Sequence, residues 1–192
     1  MKPKLFLDFD GCIVDSIRAI VDLYNDDFQA YPNFRYMHPD DIHTWNFTEC
    51  ECATKDAINA YFNVPRFFKE LQFMPMAQQF LYSLSKFFDI YIVSFGEAPN
   101  LKLKKEWIGK FIPYAEFVGL DFDYYVDKSC VDMENSIYVD DTSKHLHSSN
   151  AKHKFIFGDK YPWNSNEYGY KRCSNWMKLF FEIMKCLDGG ED

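Results

Sequence analysis

The segment LFLDFDGCIVDS, residues 5–16, ends its first apolar run in two aspartates, Asp8 and Asp10, separated by a single residue. Along an extended chain that spacing points both carboxylates to one side. Like charges so close repel, and they are tolerated when a cation neutralises them or when one carboxyl stays protonated by a shifted pKa. A second pair, Asp140 and Asp141, closes the run SIYVDD. Two such pairs at strand ends make an oxygen-rich pocket suited to Mg²⁺, which binds through few carboxylates and keeps room for water and phosphate oxygens. There Asp8 can attack phosphorus while the metal offsets the repulsion from an incoming dianion. Asp10 can protonate the leaving oxygen, then deprotonate the water that frees phosphate from the aspartyl-phosphate.

Three further residues fit this chemistry. Ser94, ending IYIVS, can hydrogen-bond a phosphate oxygen, and Lys128, in YVDKS, can place positive charge on the phosphoryl group and hold Asp8 ionised. Gly11 lets the backbone turn closely around the phosphate. Each has an ordinary reading too: paired aspartates often cap a helix, a strand-end serine can satisfy a turn, and a lone lysine is usually a solvated charge. Their joint occurrence carries the catalytic reading. The other lysines considered, Lys102, Lys104 and Lys105, lie in a helix-like run and are assigned to its exposed face. His145 and His147, in SKHLHSS, are read as ordinary helix residues, and His38, His43, Cys50 and Cys52 match no common zinc-finger spacing.

The elements that must position these groups alternate. KLFLDF reads as a buried strand, followed by a tight turn at Gly11 and a helix through IVDSIRAIVDLYNDDF. Further strands are expected at FDIYIVSF, AEFVGL, SIYVDD and KHKFIFG, with helices at MAQQFLYSLSKFF, APNLKLKKEWIGKF, TSKHLHSSNA and SNWMKLFFEIMKCL. This order predicts an α/β fold, a Rossmann-like doubly wound parallel sheet with its ligand beyond the carboxyl ends of the strands. Residues 17–75 interrupt the alternation without a convincing strand and are read as a small helical cap inserted after the first strand. Residues 1–16 and 76–192 would then form the core domain.

Composition narrows the field. At 192 residues, with 47% hydrophobic content and 20 Phe, the chain can build a real core. A net charge of −8 disfavours stable nucleic-acid binding or an anionic membrane as partner and suits a bound divalent cation. The first apolar run is broken by Asp8 too early for a signal core or a membrane span. Six cysteines without a CxxC pair fit reduced thiols, so a cytoplasmic location is expected, while the oligomeric state is left open.

DFDGCIVDS, VSFGE, DK and YVDD together resemble, in order and placement, the four motifs of the haloacid dehalogenase superfamily. Within it the chain is most similar to the 5′(3′)-deoxyribonucleotidase family, through FFKELQFMPMAQQFLYSL, KKEWIGKF, DKSCVDMENSIYVDD and the aromatic tail YPWNSNEYGYKRCSNWMKL. The resemblance implies a Mg²⁺-dependent phosphatase of nucleoside monophosphates. Cys12 stands where the superfamily usually has Thr or Val, and Ser16 where these nucleotidases carry a base-stacking aromatic. A phosphatase of another small phosphomonoester, such as a sugar phosphate, ranks second, and a catalytically silent nucleotide-binding module third. For the substrate pocket, Trp45 and Phe47 in HTWNF are the candidates to stack on a base, against the alternative that both belong to the core of the cap.

Overall fold

The computed structural model describes residues 2–158 and 161–187, so residue 1 and parts of the expected core domain, 159–160 and 188–192, lie outside the described residues. Six strands form one sheet: β1 (Lys4–Leu7), β2 (Asp89–Gly96), β3 (Ala115–Asp121), β4 (Ile137–Asp140), β5 (His153–Phe157) and β6 (Lys171–Cys173). Their order is β3-β2-β1-β4-β5-β6 and every pairing is parallel. The expected doubly wound α/β sheet is therefore present. It has one strand more than the sequence reading placed, because β6 is a three-residue edge strand beginning Lys-Arg, with no apolar run to announce it.

Alternation along the strands fills both faces. Leu5 and Leu7 of β1 join Ile92, Ile137, Val139 and Phe155 in one apolar cluster, whereas Phe6 joins Val93, Tyr138 and Ile156 in another on the opposite face. The first cluster is covered by α1 (Ser16–Phe28), α4 (Ala77–Leu84), α5 (Ala98–Phe111) and α7 (Trp176–Lys185). The second is covered by α6 (Ser143–Ser148), which contributes Leu146. Trp176 of α7 is buried and donates its indole N–H to the carbonyl of Cys12 at 2.8 Å, tying the last helix to the turn after β1.

Between β1 and β2 the described chain is helical and looped, with α2 (Lys55–Tyr61) and α3 (Pro65–Glu70) between α1 and α4. Asp15 caps α1 by accepting from the Arg18 amide at 3.1 Å, so the helix starts at Ser16 rather than at Ile13. Ile13 and Val14 belong instead to the turn, where Val14 bridges to Phe73. Ile42, Phe47, Ile58 and Phe67 share one continuous apolar cluster with α1 and the sheet.

Candidate active site

The carboxyl ends of β1, β2 and β4 converge on one cavity. Asp8 lies just past β1, its amide bonded to the Val139 carbonyl at 2.9 Å, Asp140 ends β4, and Ser94 lies near the end of β2. Phe9, between the two aspartates, is fully buried in the core, which leaves Asp8 and Asp10 to face the cavity. Gly11 follows in the left-handed region at φ +73°, where a side chain is strained. A Cβ there would also come within 2.6 Å of an Asp141 oxygen, so glycine is required by the turn and by the approach of the second aspartate pair.

The two carboxylates tolerate each other because each has its own lysine. Lys128, buried in the loop before β4, donates to Asp8 Oδ1 at 2.5 Å and to Asp140 Oδ2 at 2.7 Å. Lys104 of α5 donates to Asp10 Oδ2 at 2.6 Å, to Ser94 Oγ at 2.8 Å and to the Phe95 carbonyl at 2.8 Å. Ser16, at the start of α1, completes the hold on Asp10 by donating to Oδ1 at 2.5 Å. Lys104 corrects the sequence reading: it is 2% exposed and is the second cation of the site, while Lys102 and Lys105 are exposed. The signal was available, since Lys104 falls on the helix stripe of Leu101, Trp107 and Ile108 rather than opposite it.

The members of the second aspartate pair differ in role. Asp140 is fully buried and saturated: Oδ2 accepts from Lys128 and the Tyr138 hydroxyl, and Oδ1 from the Thr142 amide at 2.8 Å. His145 Nδ1 also lies 3.3 Å from Asp140 Oδ1, and its ring lines the cavity, so this histidine belongs to the site rather than to an ordinary helix face. His147 is exposed, stacked on Tyr168 at 3.9 Å. Asp141 faces the cavity with only neutral donors, Trp163 Nε1 at 3.2 Å and the Thr142 hydroxyl at 3.2 Å.

These surroundings separate the carboxyls electrostatically. Burial alone would raise Asp140, but the Lys128 ammonium and His145 hold it below the usual carboxylate range. Asp8 is pushed up to about 6 by burial, against the pull of Lys128, with Asp140 and Asp10 adding repulsion. Asp141 is raised well above the ordinary range by burial and by the charges of Asp140 and Asp8. Asp8, Asp10, Asp140 and Asp141 face only Lys104 and Lys128 as ion-pair partners of full charge, which leaves two negative charges uncompensated. A divalent cation closes that balance. Oxygens of Asp8 and Asp141, with the Cys12 thiol, lie within 4.8 Å of one another, and a hard cation takes the oxygens. The donor set thus fits Mg²⁺ at Asp8 and Asp141, while the side chains of Asp10 and Asp140 already have their partners.

The cavity, about 400 Å³, has a charged floor and aromatic walls from Trp45, Phe95, Phe122 and Trp163. Trp45 is 40% exposed and meets Trp163 edge-on at 5.5 Å. Phe47 is 2% exposed and does not line the cavity. A tight turn with φ +53° at Phe47 sends its ring into the apolar cluster beneath Trp45, so the HTWNF segment divides its aromatics between pocket and core.

Comparison with known proteins agrees with this geometry. A 5′(3′)-deoxyribonucleotidase of Clostridium acetobutylicum is 28% identical over 180 residues, covering 92% of each chain. The crystal structure of a predicted phosphatase from the same organism superposes with a TM-score of 0.69 at 14% identity, covering 96% of this chain and 99% of that one. A haloacid-dehalogenase-type hydrolase from Bacillus subtilis, solved bound to magnesium, superposes at 0.61 with 16% identity over 95% of this chain and 98% of that one. The family model for 5′ nucleotidase, deoxy (Pyrimidine), cytosolic type C protein matches residues 2–186, so the chain belongs to that family of phosphoric monoester hydrolases.

Proposed function

We propose that the protein is a Mg²⁺-dependent phosphomonoesterase that removes phosphate from (deoxy)nucleoside monophosphates through an aspartyl-phosphate on Asp8. The observation that carries this reading is the pair of carboxylates after β1, each held by a separate buried lysine. That arrangement gives two adjacent acids different tasks. Asp8, kept open to the cavity, attacks phosphorus. Asp10, fixed by Ser16 and Lys104, delivers a proton to the leaving oxygen and takes one from the water that hydrolyses the intermediate. Ser94 and Lys128 bind phosphoryl oxygens, and the backbone turn at Gly11 gives the phosphate close access to main-chain amides.

Asp8 and Asp141 would hold the metal, with Asp140 orienting Lys128 rather than ligating. The bound ion supplies positive charge beside the phosphoryl oxygens. Residues 17–75 act as the cap, and Trp45 supplies a face for a base. The named activity of the Clostridium acetobutylicum relative supports the nucleotide as leaving group. No helix among the described residues is long and apolar enough to cross a membrane, and six free cysteines with the cytosolic type of the matched family support a cytoplasmic location.

The test is a phosphate-release screen over deoxynucleotides, ribonucleotides and sugar phosphates, with Mg²⁺ and with chelator. Nucleotides should lead and chelator should stop release. Sugar phosphates outrunning every nucleotide would replace this reading with that of a general phosphatase.

A further inference from the structure

Asp10 borders a second cavity, about 330 Å³, which is lined by Asp10 and Lys104 but by neither Asp8 nor Asp141. In an in-line displacement the attacking and leaving oxygens stand on opposite sides of phosphorus, so the body of the leaving group extends away from Asp8 and past the acid that protonates it. A cavity that shares only the acid with the phosphoryl site is placed to receive that body. Its walls are flat and apolar, with Trp45 and Phe62 from the helical insertion and Phe95 and Phe122 from the sheet side.

The polar groups inside it are unbalanced. All three Lys104 contacts are taken by Asp10, Ser94 and the Phe95 carbonyl, and the Asn100 amide donates to the Phe62 carbonyl at 2.7 Å. Asn63 donates its Nδ2 to Glu97 Oε2 at 2.7 Å, which fixes the amide with its carbonyl turned the other way. That carbonyl, Asn63 Oδ1, is the one buried side-chain polar atom among the described residues that has no hydrogen-bond partner. A buried acceptor without a donor is costly, and a ligand that brings one removes the cost. The interior therefore offers aromatic faces together with acceptors, the Asn63 carbonyl and the Glu97 carboxylate, and its interior side-chain donors are committed.

We propose that this cavity is the leaving-group site and that Asn63 and Glu97 together accept the exocyclic amino group of a nucleobase. An amino group brings two protons to two neighbouring acceptors, whereas a keto oxygen at the same place would face a carboxylate and an amide carbonyl. The proposal rests on the nucleotidase reading above and adds to it a preference for amino-bearing bases over their keto or deaminated counterparts.

The experiment compares kcat/KM within matched pairs, deoxycytidine against deoxyuridine monophosphate and deoxyguanosine against deoxyinosine monophosphate, in the unmutated protein, Asn63→Ala and Glu97→Ala. The unmutated protein should favour the amino-bearing member roughly tenfold, the scale of one hydrogen bond, and each variant should bring the ratio close to one. Because each ratio is taken within one preparation, any loss of folded protein cancels; should Asn63→Ala not fold, Glu97→Ala, on an exposed side chain, carries the test. Ratios near one in the unmutated protein, or ratios untouched in the variants, overturn the proposal. A cytidine against deoxycytidine monophosphate arm detects a sugar hydroxyl as the donor: if Asn63→Ala changes only that ratio, the base assignment falls. If sugar phosphates are hydrolysed and no nucleotide is, the nucleotidase reading itself has failed and this proposal goes with it.

Discussion

The two ends of the pocket are built on different principles. At the phosphoryl end, Asp8, Asp140 and Lys128 are tied to one another by hydrogen bonds of 2.5 and 2.7 Å, and the side chains of Asp140 and Lys128 are 0% and 1% exposed. At the leaving-group end the walls are aromatic rings from a helical insertion and from loops, with Trp45, Phe122 and Val126 partly or largely exposed. One end fixes charge so that it need not reorganise during reaction; the other offers surface that different ligands can occupy. The lesson is that the reaction and the choice of substrate are separable, and each can be broken without the other.

The largest effect should come from Asp8→Asn. An amide has nearly the shape of the carboxylate but is no nucleophile, so phosphate release should fall by roughly a thousandfold or more while the fold is kept. Turnover near that of the unmutated protein would remove Asp8 from the attacking role. Next comes the contrast between the lysines. Lys128→Met strands two buried carboxylates and should cost about 3–5 kcal/mol in chemical denaturation. Lys104→Met strands Asp10, whose side chain is 14% exposed and keeps Ser16, and should cost distinctly less. Equal losses would mean that the two ends are not built differently.

The raised carboxyls give a signed pH dependence. With Asp8 raised to about 6, the folded protein binds a proton between pH 4 and 6 that the unfolded chain releases. Stability of the metal-free protein should therefore fall as pH rises through that window, by on the order of 3 kcal/mol from this group. Asp141, raised in the same direction, adds to the fall. Mg²⁺ should reverse it, raising the unfolding temperature more at pH 7 than at pH 4, and Asp141→Asn should remove most of the Mg²⁺-induced rise. A full rise in that variant would take Asp141 out of the metal site. The smallest effect belongs to Trp45→Ala, expected to cost about 1–3 kcal/mol in binding a nucleoside monophosphate, the scale of base stacking, with much less change toward a small aryl phosphate. Equal damage to both substrates would make Trp45 a packing residue.

Those contrasts follow what could be read in the chain. Asp8, Asp10, Ser94, Asp140 and Asp141 stand at the ends of apolar runs, and strand periodicity alone brings such ends together. The second lysine was hidden because a charged residue in a helix is read as solvated, and only its place on the stripe with Trp107 and Ile108 marks Lys104 as inward. His145 was hidden because its partner Asp140 comes from a strand end, with no pattern in SKHLHSS to single out one histidine. In HTWNF, type and spacing could not separate Trp45 from Phe47; a left-handed turn at Phe47 decides which ring is buried. Asn63 carried no signal in the sequence, since an orphaned carbonyl is defined only by what surrounds it.

The central place of β1 in the sheet bears on how the molecule comes to be active. Leu5 pairs with Ile90 on one side and with Ile137 on the other, and the ion pairs of Asp8 and Asp10 reach across 120 and 94 residues of chain. Such distant closures are entropically late events in folding. Local helices such as α5 and α7 can form within their own segments, but the constellation around Asp8 exists only after β1, β2 and β4 have assembled. Helical signal should thus return ahead of phosphate release when the denatured chain is refolded, and a nascent chain stays without its site until β4 has joined the sheet.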